Sequence, residues 1–347
     1  MPADLVQSSR LDPAELPDEA VIFGCTAAMS DIRRTIDQVG SSDMPVLIQG
    51  ESGTGKEVIA RFIHGRSKRW DAPFVKLNCA AVPASLLESE LFGYDKGSFT
   101  GAREERPGLI EIADGGTLFL DEICEMHWSV QGKLLQLLQD GSYTRISGSD
   151  TRIGRIRIIC ASNVDLKPAV ETGAFREDLF YRIDVVSFRL PALRERRGDL
   201  PQLCEFFRQK LSRKFGRTAL ELNAATLRLL MQWDWPGNLR ELENWMARAI
   251  ILGEFETVAS ELRRRLALNG GSEVRGPRVG ALKEVSRRAA SAASSAMILK
   301  VLQANRWNRR KTAEDLNMSY RSLLYKLREA GIPQRRRGHR GLPPSAF

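Results

Sequence analysis

Residues 44–56 read Met44-Pro45-Val46-Leu47-Ile48-Gln49-Gly50-Glu51-Ser52-Gly53-Thr54-Gly55-Lys56, and Glu57-Val58-Ile59-Ala60-Arg61-Phe62-Ile63 follows directly. The segment up to Gln49 reads as a short buried strand, and Glu57–Ile63 as a helix with one apolar face. A glycine-rich turn between them aims successive backbone N–H groups and a helix N-terminus at one point. Such a point attracts polyphosphate, and Lys56 supplies charge for the outer phosphates. The candidate phosphate-binding residues are therefore Gly50, Glu51, Ser52, Gly53, Thr54, Gly55 and Lys56, with Glu57 beside them. Glu57 stands where this pattern usually has the Ser or Thr that touches magnesium, so the metal must rely on a carboxylate further along. An ordinary glycine-rich turn is the plainer alternative.

That carboxylate is found in Gly115-Gly116-Thr117-Leu118-Phe119-Leu120-Asp121-Glu122. An apolar strand ending in two acids suits a nucleotide hydrolase. Asp121 would hold Mg²⁺ through water, and Glu122 would orient and polarise the attacking water. A solvated strand end alone is common, but the pair downstream of a full phosphate loop points to an ATPase using ATP and Mg²⁺.

The 347 residues suggest two or three domains, and the 43% apolar content is ordinary for a globular chain. Five cysteines (Cys25, Cys79, Cys124, Cys160, Cys204) lack metal-like spacing. They read as free thiols in a reducing, cytoplasmic setting. His64, His127 and His339 are too dispersed for a metal site. No run approaches the roughly 18 apolar residues of a membrane span, and no signal peptide opens the chain. The net charge of +9 is concentrated after about Glu261, through Arg263–Arg265, Arg287, Arg288, Arg309–Lys311 and Arg335–Arg337. A basic end on a balanced body points to nucleic acid.

Strand candidates at Val46–Gln49, Phe74–Asn78, Thr117–Leu120, Arg157–Cys160 and Val185–Arg189 alternate with helical patterns. The fold class is α/β with a mainly parallel sheet. From Asp199 the pattern is helical, through Ala224–Gln232 and Leu239–Leu252, with Asn238 placed to cap the latter. Glycine turns around Gly148-Ser149-Asp150 predict a hairpin between Ser142 and Arg155. The reading divides the chain into an extension (1–20), an α/β nucleotide-binding part (21–190), a helical lid (191–256), a linker (257–285), a small all-α domain (286–332) and a basic tail (333–347).

With both nucleotide motifs placed, Leu91-Phe92-Gly93-Tyr94-Asp95-Lys96-Gly97-Ser98-Phe99-Thr100-Gly101-Ala102 resembles the signature loop of the bacterial sigma-54-dependent activators, or enhancer-binding proteins, of the AAA+ ATPase superfamily. The family form is Gly-Ala-Phe-Thr-Gly-Ala, and Ser98 stands at its second position. The resemblance spans roughly Val21 to Ile332. It implies an AAA+ phosphate-loop sheet with a helical lid, followed by a helix-turn-helix domain. Gly97, Ser98, Phe99, Thr100, Gly101 and Ala102 would engage sigma-54. Val21-Ile22-Phe23-Gly24 matches the segment that lies against adenine. Asn78 matches the asparagine that restrains the catalytic glutamate, Asn163 the first sensor, and Arg240 the second sensor in the lid. Arg176 and Arg182 match the arginine fingers that reach a neighbouring subunit's nucleotide, which implies an active ring, hexameric in the family. The hairpin matches the insertion that supports the sigma-binding loop.

Near the C-terminus, Asn308–Leu327 reads as two short helices joined by a turn at Asn317, and resembles the Fis-type DNA-binding domain of the same activators. Ser319, Tyr320, Arg321 and Ser322 open the second helix and would meet base edges. Arg309, Arg310, Lys311 and Lys326 would meet phosphates. The helix around Ala289–Leu302 would pair two copies on double-stranded DNA. Expected partners are thus the sigma-54 RNA polymerase holoenzyme, upstream DNA and further copies of the chain, with no membrane. Relatives often carry a receiver or sensing domain ahead of the ATPase. Here about twenty residues precede it, so control is expected from elsewhere or from a missing N-terminal part. Two competing readings are a non-hydrolysing DNA-binding regulator that keeps the AAA+ fold, and a general AAA+ unfoldase or helicase loader. Intact Lys56, Asp121, Glu122, Arg176 and Arg182 argue against the first, and the Gly97–Ala102 loop with the terminal helix-turn-helix against the second.

Overall fold

The computed structural model describes residues 7–9, 16–98, 104–218, 220–270 and 311–312. The chain divides into two units, Met1–Leu268 and Asn269–Phe347, and the sheet and its helical lid both belong to the first. After β1 (Gln7–Ser9), the helices α1 (Glu19–Phe23) and α2 (Ala27–Val39) lead into β2 (Val46–Gln49) and α3 (Lys56–Gly65). Then follow β3 (Phe74–Asn78), α4 (Ala84–Phe92), the short pair β4 (Gly93–Tyr94) and β5 (Arg106–Pro107), α5 (Leu109–Ile112) and β6 (Thr117–Asp121). Helix α6 (Trp128–Asp140), the hairpin β7 (Ser142–Thr144) and β8 (Thr151–Ile153), and β9 (Arg157–Ser162) come next. Helices α7 (Lys167–Glu171) and α8 (Glu177–Ile183) precede β10 (Val186–Arg189).

The main sheet has the order β1-β3-β6-β9-β2-β10. Its five strands from β3 to β10 pair in parallel, and β1 joins β3 antiparallel at the edge. The edge strand Gln7–Ser9 falls in the segment that the sequence reading treats as an extension. Helices cover both faces, which is why the central strands are continuous apolar runs and not alternating ones. Side-chain alternation splits the core in two. Leu47, Leu118, Leu120, Ile158 and Cys160 pack on one face with α4, α6 and α8. Val46, Ile48, Phe119, Ile159 and Ala161 pack on the other with α2 and α3.

The third core is the lid: α9 (Leu200–Phe215), α10 (Ala224–Gln232), α11 (Asn238–Leu252) and α12 (Glu256–Gly270), around Trp235, Leu242, Met246 and Ile250. Asn223 caps α10 by accepting the Thr226 N–H at 2.8 Å. Here the sequence reading needs correcting. The sequence pattern predicts a linker from 257, but the chain is helical through Gly270, because Val258, Ala259 and Leu262 recur at helical spacing and are buried against Trp245 and Phe255. No helix among the described residues is long and apolar enough to cross a membrane.

One buried group makes the sheet acid-sensitive. His64 on α3 has no solvent exposure, contacts Thr117 Oγ1 at 2.8 Å, and is pushed by burial down to about 4. Its unfolded value is about 6.5, so between these values the unfolded chain binds more protons. Stability from keeping His64 neutral is therefore full above about pH 6.5 and is lost as pH falls toward 4. His64→Asn keeps a polar atom near Thr117 without the titration. Its melting temperature should fall less between pH 7.5 and 5 than that of the wild type; equal falls in the two melts would reject this account.

Candidate active site

Parallel pairing gathers the chemistry at the carboxyl ends of the strands, where ligands of open α/β sheets bind. Asn78 lies opposite Asp121, and Gln49, which leads into the glycine-rich turn, lies opposite Ser162. A pocket of about 400 Å³ opens there. Ser52, Gly53, Thr54, Gly55, Lys56 and Glu57 line it, with Asn78, Asp121 and Glu122 from the strands, Val21 and Ile22 from α1, and Arg240 from α11.

The turn takes a shape only glycine allows. Gly53 has φ +80°, and a Cβ there would stand 2.4 Å from the Gly237 carbonyl oxygen of the lid. Gly55, at φ +100°, sets the start of α3. The buried Lys56 ammonium donates to the Gly50 and Glu51 carbonyls at 2.8 and 3.3 Å. Burial lowers its pKa, against the pull of the Glu122 and Asp121 charges. Glu122 sits in left-handed backbone at φ +53° and accepts the Asn163 backbone N–H at 3.2 Å. Burial pushes its carboxyl above the usual range, and the Lys56 charge opposes this. A cation and a reluctant carboxylate thus face the same small volume, an arrangement able to hold a polyphosphate and polarise a water.

Several residues that the sequence reading placed on the ligand are used otherwise. Glu51 turns away from the pocket, its carboxylate gripped by Arg194 at 2.9 and 2.5 Å and by Asn238 Nδ2 at 3.2 Å. Phe23 packs edge-on against Phe62 at 5.0 Å, and Gly24, at φ +59°, is so close to Asp199 that a Cβ would overlap it. Gly50 contributes its carbonyl to Lys56 and does not line the pocket. Glu57 reaches the rim, but its oxygens pair with Arg61 at 2.9 Å and Lys76 at 2.6 Å. Burial raises its carboxyl, yet the bonds from Lys76 and Arg61 outweigh this and hold it below the usual range. Asp121 lines the pocket and forms no ion pair among the described residues, and one carboxylate plus ligand phosphates and water is a donor set that would suit magnesium. Among the described residues no cluster of three or more His, Cys, Asp or Glu could hold a metal.

Asn78 lines the pocket, with its amide oxygen accepting the Ala80 N–H at 2.9 Å. Arg176 and Arg182 do not line it. Arg176 pairs with Asp178 at 3.0 and 2.7 Å and lies 5.3 Å from the Trp128 ring centroid, while Arg182 donates to the Leu138 carbonyl at 2.7 and 3.0 Å. Gly97 and Ser98 are described, whereas Phe99, Thr100, Gly101 and Ala102 lie outside the described residues. The Ser98 hydroxyl donates to the Ile146 carbonyl at 3.0 Å, beyond the end of β7. Arg145, buried after β7, bonds Asp95 and Glu105 on the two arms of that loop at 3.1 Å each, and Glu111 at 2.8 and 2.9 Å. Of the residues assigned to DNA, Arg309, Arg310, Ser319, Tyr320, Arg321, Ser322 and Lys326 lie outside the described residues, and Lys311 is exposed. Sequence reasoning missed Arg194 and Arg196, and read Asn238 only as a cap. Its side chain instead spans the Leu193 N–H, Glu51 and the Ser52 carbonyl.

Three family profiles match the chain: "Sigma-54 interaction domain" over residues 22–189, "AAA+ ATPase lid domain" over 194–273, and "Bacterial regulatory protein, Fis family" over 292–329. Regulatory protein AtoC of Escherichia coli is 47% identical over 88% of this chain and 66% of its own length. The chain thus spans just under two thirds of that relative. Transcriptional regulatory protein FlbD of Caulobacter vibrioides is 43% identical over 95% of this chain and 74% of its own. Among solved structures, NtrX from Brucella abortus in complex with ATP is 31% identical, with a TM-score of 0.65, over 89% of this chain and 69% of that one.

The raised carboxyl of Glu122 makes a stability prediction. Because its folded pKa lies above its unfolded value, the ionised group destabilises the fold at neutral pH, and that penalty vanishes below the unfolded value of about 4.3. Glu122→Gln should melt higher than wild type at pH 7.5 and level with it near pH 4. An unchanged melt at pH 7.5 would remove the desolvation argument.

Proposed function

The chain belongs to the family of sigma-54-dependent bacterial transcriptional activators, and from that premise we propose that it is a DNA-tethered ATPase working in a ring of like subunits. ATP hydrolysis would remodel the closed complex of the sigma-54 RNA polymerase into an open one. The observation that carries this reading is the single pocket into which the strand ends bring Lys56, Asp121 and Glu122 while the lid brings Arg240.

Free N–H groups of the turn and the Lys56 ammonium hold the outer phosphates of ATP. Asp121 would hold a magnesium ion through water, which would supply positive charge to offset that of the phosphates. Glu122 polarises a water that attacks the γ-phosphorus; the bond to the β–γ bridging oxygen breaks, and ADP and phosphate leave. The Asn163 N–H keeps the Glu122 carboxylate oriented at the strand ends. Because Arg176 and Arg182 lie off their own subunit's pocket, they serve the neighbour's, which supports the ring. Arg145, tied to both arms of the Gly97–Ala102 loop, supports a role for the hairpin in carrying movement to a sigma-54 contact. The Fis-type segment supports binding of upstream DNA as a dimer.

Phosphate release by the purified chain tests the reading. Turnover per subunit should rise with protein concentration, since each site needs a neighbour's arginine. Glu122→Gln should retain ATP binding and lose at least about a hundredfold in turnover. No turnover by wild type at any concentration, with or without DNA, would favour the non-hydrolysing regulator.

Thr100→Ala separates chemistry from its use. Hydrolysis should stay within about twofold of wild type while open-complex formation on a sigma-54 promoter is lost. Normal promoter opening would remove the sigma-54 assignment of that loop.

A further inference from the structure

Seen from the lid, the glycine-rich turn shows three successive carbonyls, and each is taken. The Ser52 carbonyl accepts from Asn238 Nδ2 at 3.1 Å, that of Gly53 from the Leu239 N–H at 2.9 Å, and that of Thr54 from the buried Arg196 guanidinium at 3.0 Å. In a planar trans peptide the carbonyl and the next N–H point opposite ways. Tying these carbonyls toward the lid turns the N–H groups of Gly53 and Gly55 to the other side.

Asn238 is the hub. It has no solvent exposure, opens α11, and holds a left-handed backbone at φ +51°. Its amide oxygen accepts the Leu193 N–H at 2.8 Å, and its amide nitrogen donates to Glu51 Oε2 at 3.2 Å as well as to Ser52. One acceptor and two donors are thus satisfied in one buried side chain. Arg194 closes the cluster with two bonds to the Glu51 carboxylate and holds that carboxyl below its usual range. Two residues along the same helix, Arg240 donates to Ser52 Oγ at 3.0 Å and enters the pocket. A shift of the turn on phosphate binding therefore pulls on Asn238, and any shift of Asn238 moves Arg240.

We infer that Asn238, Glu51 and Arg194 form a positioning cluster that couples the phosphate-binding turn to the lid and presents Arg240 to the nucleotide. It rests on the reading of the pocket as an ATP site. Coupling of this kind is reciprocal: the nucleotide sets the lid, and the lid sets affinity for the nucleotide. A cluster that only stabilises the lid would lower melting temperature without changing what Arg240 contributes.

Binding of a slowly hydrolysed ATP analogue to the full chain, measured by calorimetry, distinguishes these through a double-mutant cycle. Asn238→Gly removes the amide and keeps the left-handed backbone unstrained. Arg240→Ala and Asn238→Gly should each weaken binding about tenfold. The double variant should be no weaker than about twofold below either single one, because Arg240 no longer reaches the ligand once Asn238 is gone. A roughly hundredfold loss in the double variant, the product of independent effects, overturns the inference, as does unchanged binding by Asn238→Gly. Should Asn238→Gly fail to fold, Arg194→Met, at a side chain 36% exposed, runs the same cycle with the same outcomes. Failure of the wild type to bind the analogue removes the ATP reading and the inference with it, whereas an additive cycle removes the inference alone.

Discussion

Each peptide unit carries an acceptor as well as a donor, so a turn that offers N–H groups to a polyanion must dispose of its carbonyls elsewhere. The protein meets that constraint with its lid. Asn238, Leu239 and Arg196 take the carbonyls of Ser52, Gly53 and Thr54, and Lys56 takes those of Gly50 and Glu51. The lid is thereby part of the binding turn itself. Close approach follows from it: only glycine at position 53 leaves room for the Gly237 carbonyl.

Electrostatics then divides labour among four carboxylates that stand close in sequence to the two motifs. Glu51 and Glu57 are each held by cations, Arg194 for one and Arg61 with Lys76 for the other, and both are kept ionised and occupied. Among the described residues Asp121 and Glu122 have no such partner beyond the shared Lys56 charge, and burial makes ionisation of Glu122 costly. That difference in pairing, more than position in the motif, separates the two ion-paired acids from the two at the strand end.

Much of the α/β part was legible because its signals are local. Apolar runs bounded by turn residues placed all five parallel strands to within two residues, and the glycine pattern placed the turn between β2 and α3. The lid's last helix was less legible: Glu256–Gly270 is rich in arginine, and its few apolar residues matter only because Trp245 and Phe255 cover them. Glu51 and Glu57 show the same difficulty within a motif. Backbone pattern assigns both to the ligand, yet the partners that divert them come from Arg194 and Lys76, far along the chain or on another strand. Ser98, where the family form has alanine, gains a bond to Ile146 that only the folded hairpin can supply.

The sequence by itself determined the strand–turn–helix unit at 44–63, the acidic strand end at Asp121 and Glu122, and the family to which the chain belongs. These follow from short-range spacing, where backbone geometry leaves few alternatives. Tertiary structure alone decided that Asn238 ties the turn to the lid rather than capping its helix, that Phe23 and Gly24 pack inward, and that Glu51 and Glu57 are engaged. Those outcomes depend on which groups meet across more than a hundred residues, or across the sheet, and a buried polar atom takes whichever partner the packing brings to it.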